Sequence, residues 1–127
     1  MTKQFTPEEA TRTLPYVKGI VTDILGTAKE LRGRTEESDD PENDEELELL
    51  QQDLLGLMEE LEKIGASFRD WNFEIGLVDF PAQIDGEEVV LSWRSDEDAV
   101  EHYMPPKAGM DARKRIPTEL LSEAERN

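Results

Sequence analysis

Two segments of the chain repeat their apolar positions at alternating spacings of three and four. In the first, Ala10, Leu14, Val17, Val21, Ile24, Ala28 and Leu31 keep this rhythm, the seam expected where one helix packs lengthwise on another. Its start is well marked. Thr6 suits an N-cap, Pro7 the first helical position, and Glu9 completes a capping box with Thr6. The pattern predicts a helix over 7–33 that stops at Gly33, with Pro15 bending its first turns. In the second segment, Leu47, Leu50, Leu54, Leu57, Leu61 and Ile64 repeat at three and four, Leu49 and Met58 widen the stripe, and Gly65 stands at the C-cap. A second helix is predicted over 44–64. The polar stretch 34–43 between the two is short enough to favour an antiparallel helical hairpin. Leftover apolar positions, Ile20 with Leu25 and Leu49 with Met58, need cover from the C-terminal half or from a second copy. A homodimer through the helices is therefore expected.

Beyond Gly65 the period changes from helical to extended. "ASFRDWNFEIG" places Phe68, Trp71, Phe73 and Ile75 in a short strand or irregular segment that lays aromatics over the helices. In "LVDFPAQIDGEEVVLSWR", residues 77–94, Asp85-Gly86 between two alternating runs predicts a two-residue hairpin turn with Ile84 facing Glu87. One side of that ribbon collects Val78, Phe80, Ala82, Ile84, Val89, Leu91 and Trp93, the core side. The other carries Leu77, Asp79, Pro81, Gln83, Glu88, Val90, Ser92 and Arg94, with Pro81 opposite Val90. Asp79 and Arg94 stand diagonally on it, close enough to expect an ion pair. The tail, 95–127, holds a Pro- and Gly-rich run, "YMPPKAGMDARKRIP", expected to cross the surface irregularly with Tyr103, Met104, Met110 and Ile116 as anchors. "TELLSEAER" can form a short closing helix capped by Thr118. The fold class is α+β: one domain over 1–127, a long helical hairpin followed by a small antiparallel sheet and an irregular tail.

Charge narrows the function classes. The chain has 31 acidic against 14 basic side chains and a formal net charge of −17. Such a surface repels phosphate backbones and anionic lipid, so neither nucleic acid nor a membrane is an expected partner. Nine acids and no base lie between Thr35 and Glu48, which reads as a solvated loop entering a helix, or as a surface for a basic protein partner. Lys107, Arg113, Lys114 and Arg115 form a small basic cluster near the end. Without cysteine there are no disulfides, thiolate nucleophiles or Cys-based metal sites. Neither a secretory leader nor a membrane-spanning run is present, so a cytoplasmic location is expected.

The C-terminal half carries the most specific pattern. "GLVDFPA", Asp85-Gly86, Trp93-Arg94, Glu97, Gly109 and Arg113, with Phe5, Thr6, Glu9 and Ala10 at the start, resemble the bacterial family catalogued as domain of unknown function 2203. Ser92 stands where that family often has Cys, Asp96 where it has Gly, and Tyr103-Met104 where it has a Trp-His-like pair. A role resting on that histidine does not carry over, because Met104 does neither acid–base chemistry nor hard-metal ligation. The resemblance implies no particular activity.

Asp79, Arg94, Glu97 and Arg113 form the best polar constellation, two acids and two guanidinium groups able to hold a small anion or, equally, to fasten the tail to the sheet. His102 is the sole imidazole, beside Glu101 and Tyr103. "DDPENDEE" lacks the glycine of a calcium loop, Ser92 has no nucleophile-elbow context, and there is no Gly-rich phosphate loop. No cofactor, metal or catalytic residue is therefore expected. The leading reading is a protein-interaction module that self-associates; its rival is a small-anion binder or enzyme built on the polar hairpin face, with Asp79, Arg94, Glu97, His102 and Arg113 around the ligand.

Overall fold

The computed structural model describes residues 4–70 and 73–121. Helix α1 runs from Pro7 to Glu37 and opens with the capping box: Thr6 accepts from the Glu9 N–H at 3.1 Å, and the Glu9 carboxylate takes the Thr6 N–H at 3.2 Å. It passes unbroken through Pro15 and does not stop at Gly33, continuing a full turn to a cap in which the Ser38 N–H donates to Arg34 O. A single glycine weakens a helix without ending it. Here Arg34 pins the extra turn by donating from Nε to Asp44 Oδ2 at 3.0 Å. The acidic loop is accordingly shorter than 34–43 and holds a 3₁₀ turn, Pro41–Asn43. Helix α2, Glu45–Lys63, starts on an Asp44 N-cap and ends at Ile64, followed by Gly65 at φ 94°.

Five antiparallel strands follow in chain order: β1 Ser67–Phe68, β2 Leu77–Ile84, β3 Glu87–Arg94, β4 His102–Met104 and β5 Lys114–Arg115. The β2–β3 register is the predicted one, with Ile84 opposite Glu87 and Pro81 opposite Val90. Both turn residues have positive φ, Asp85 at 52° and Gly86 at 82°, as a type I′ turn requires. The tail is more regular than its composition suggests. Two of its stretches extend the sheet as β4 and β5, and a short helix α3 spans Thr118–Leu121. Strands of two or three residues are too short to impose a period on the sequence. Of the expected anchors, Met104 and Ile116 are fully buried, while Tyr103 and Met110 are partly so. Trp71 lies outside the described residues.

The core joins the buried stripe of α1 and residues of α2 to the predicted inner face of the hairpin, with Trp93, Phe80, Leu14 and Ile24 among its fully buried side chains. Phe5 packs edge-on against Phe80, centroids 5.1 Å apart, and its N–H donates to Pro81 O at 2.7 Å. Gly76 marks the closest approach of sheet and helix: a Cβ there would stand 2.4 Å from Val21 Cγ1. Ile20 is buried and Leu25 and Met58 pack on the core, so three of the four leftover apolar positions are covered within the chain. Leu49 is not, remaining 60% exposed. Among the described residues, no helix is long and apolar enough to cross a membrane.

Candidate functional site

On the sheet face opposite the core, the pairings place Ser67, Asp79, Ser92, His102 and Arg115 side by side, one from each strand. This polar row gathers four residues singled out from the sequence or its motifs, Asp79, Ser92, His102 and Arg115. The connection 105–113, between β4 and β5, is tied back to it from both ends. Arg69, just past β1, donates from Nε to Asp79 Oδ2 at 2.7 Å and from Nη1 to Ala108 O at 2.8 Å. Arg113 donates from Nε to Ser92 Oγ at 2.9 Å, from Nη2 to Ser92 O at 2.8 Å, and from Nη1 to Glu97 Oε2 at 2.9 Å, with a second short bond from Nη2 to Glu97 Oε1.

Glu97 is aimed at this point by the turn that follows β3. Its Oε1 takes the Arg94 N–H at 2.8 Å, and its carbonyl takes the Trp93 indole N–H at 2.9 Å. Burial works against its charge, but the bonds from Arg113 and the Arg94 N–H outweigh burial and hold Glu97 below the usual glutamate range. His102 Nδ1 lies 3.2 Å from Glu97 Oε2, outside hydrogen-bonding geometry. Burial first, then the Arg113 charge, lower its pKa, so the imidazole is neutral at pH 7. Asp79 shifts the other way: burial raises it despite Arg69, and its Oδ1 is buried without a partner among the described residues.

The geometry separates the predicted site residues. Glu97, His102 and Arg113 meet, and Asp79 joins them through the row. Arg94 does not, and the expected Asp79–Arg94 ion pair does not form. Arg94 instead turns outward to Asp96, Nε to Oδ1 at 2.7 Å and Nη2 to Oδ2 at 2.9 Å, because that acid stands only two residues away. Arg69 takes its place on Asp79. Its position two residues after Ser67, just past the strand, was the signal available for it; the aromatic run around it masked that period. The guanidinium groups of Arg69 and Arg113 thus direct all their nitrogens to groups of the chain itself, which fastens the tail to the sheet.

A different surface lies on the far side of the helices. Between α1 and α2 runs an open groove of about 660 Å³ whose lining includes Asp23, Glu30, Asp53 and Glu60 and, among the described residues, no basic one. Gly26 and Gly56 line it, and Gly19 and Gly33 continue the α1 stripe at seven-residue spacing, which keeps them on one helix face. At all four, a Cβ would meet nothing within 4 Å. Tyr16 and Leu49, 56% and 60% exposed, extend the same stripes of α1 and α2. The seven-residue glycine spacing was visible in the sequence as a signal for this face.

The motif residues now have structural reasons: Gly76 for the sheet–helix approach, Asp79 for Arg69, Phe80 and Pro81 for the N-terminal Phe5, Trp93 and Glu97 for the turn that holds Arg113. No curated protein and no solved structure matches the chain. A family model described as "Uncharacterized conserved protein (DUF2203)" matches residues 3–116, and the chain belongs to that family.

Proposed function

We propose that the protein is an interaction module whose helical hairpin receives a basic helical segment of another protein in its outer groove. The four helical glycines carry this reading. Each weakens α1 or α2 by roughly 0.5–1 kcal/mol relative to alanine, yet none of the described residues crowds any of them. A second backbone laid against the groove supplies the reason the fold itself does not. The acids along the rim select the charge of that segment. A second copy of this chain is the competing occupant, but it would bring the same four carboxylates against each other.

The test uses a Lys- and Leu-rich amphipathic helical peptide and the double variant Gly26→Leu with Gly56→Leu, which fills the groove. The parent should bind the peptide at low salt and lose it as salt rises, while the variant stays folded and binds at least tenfold more weakly. Equal binding by the two proteins overturns the reading. So does light scattering that finds a salt-insensitive parent dimer abolished by the double substitution, which would assign the groove to self-association.

A further inference from the structure

A second concavity lies between α1 and the end of the hairpin away from its turn. Lys18, Val21, Thr22 and Leu25, successive on one helix face, enclose it with Trp93 and Ser95, leaving about 340 Å³. That volume falls in the range of small-ligand pockets, which are mostly apolar with a few placed polar groups. Here the wall is Val21 and Leu25, with the buried Trp93 ring beneath.

The framework of this pocket is tight. Val21 sits against Gly76 so closely that a Cβ on the glycine would lie 2.4 Å from Val21 Cγ1 and 2.9 Å from Ser95 Cβ. Gly76 and Ser95 also bond reciprocally, Ser95 N–H to Gly76 O at 2.8 Å and Gly76 N–H to Ser95 Oγ at 3.2 Å. Ser95 Oγ therefore accepts from the backbone and keeps its own proton to donate. Lys18, exposed at the mouth, has no ion-pair partner among the described residues.

From these features we infer that the pocket binds a small amphipathic carboxylate. Its apolar body lies along Val21 and Leu25 above Trp93, and its carboxylate meets Lys18 with the Thr22 and Ser95 hydroxyls. An ammonium ligand would meet Lys18 with like charge, and a purely apolar one would leave the hydroxyls at the rim without a use. The site adjoins the acidic groove, Thr22 lining both, but its other lining residues are its own, and the inference does not depend on what that groove receives.

The experiment titrates the parent chain with phenylacetate, its neutral amide and phenethylamine, read by Trp93 fluorescence in a Trp71→Phe background and by calorimetry. Phenylacetate should bind, the amide at least tenfold more weakly, and the amine not at all. Lys18→Gln should reduce phenylacetate binding at least tenfold while leaving the circular dichroism spectrum unchanged. Ser95→Leu, which fills the pocket from the opposite wall, should abolish it. Equal affinities for acid and amide, undiminished binding by Lys18→Gln, or no binding of phenylacetate by the parent would each overturn the inference.

Discussion

The outer face of the sheet and the outer face of the helices are both polar, and they are built on opposite terms. On the sheet, Arg69 and Arg113 are packed among acceptors from β2, β3, the turn after β3 and the 105–113 connection, so charge there serves the fold. On the helices, acids line a groove into which none of the described basic residues enters, and glycines stand where alanine would be more stable, so charge there is not matched within the groove. A polar cluster is thus informative through its partners rather than its residue types. The constellation that looked most like a binding site in the sequence is the one whose cations are already bound.

The sharpest way to break this contrast is to remove Arg113. Its side chain and that of Glu97 are only 12% and 17% exposed, so Arg113→Ala strips the Glu97 carboxylate of its cation, leaving it only the Arg94 N–H, and removes a donor from the Ser92 carbonyl; unfolding in urea should show a loss of about 3 kcal/mol. Arg94→Ala, whose partner Asp96 is exposed, serves as the control and should change stability by well under about 1 kcal/mol. Equal losses for the two would mean that Arg113 does not hold the tail.

The helices should respond with the opposite sign. Gly26→Ala with Gly56→Ala places methyl groups in open space and should stabilise the chain by about 1–2 kcal/mol, seen as a raised urea midpoint with an unchanged slope. A destabilised double variant would show that the groove floor is needed by the fold, and the contrast would fail.

A smaller effect comes from pH. His102 has a lowered pKa in the folded chain, so the unfolded chain binds its proton more readily, and stability falls as pH drops below the ordinary histidine value of 6.5. Glu97, also lowered, adds a second loss at more acidic pH, as it protonates below the ordinary 4.5. In His102→Asn the first decline should vanish and the second persist, as followed by thermal unfolding between pH 7 and pH 3. An unchanged profile would place His102 outside the network.

How much of this was legible beforehand follows the range of each interaction. The hairpin register could be read because period-two alternation and an Asp-Gly turn are local and agree with each other. The helical seams were legible for the same reason, whereas the stop at Gly33 was not, since Arg34 reaching Asp44 across the loop overrides the local signal. In the candidate site, Glu97, His102 and Arg113, grouped from the sequence, lie side by side. Their company with Arg69 was hidden because it depends on Ala108, 39 residues away in sequence. Arg94 was misplaced for the converse reason, a nearer acid having captured it.

The outermost strands, β1 and β5, are two residues each. A sheet exposes its unpaired backbone donors and acceptors only along its margins, and those margins are the templates on which chains stack into fibrils. Here the outermost strand on either side offers barely one pleat, and Arg115 and Lys114 place positive charge on one of them. Neither outermost strand is therefore long enough to seat a further strand, and crowding at high concentration should not lengthen the sheet through β1 or β5.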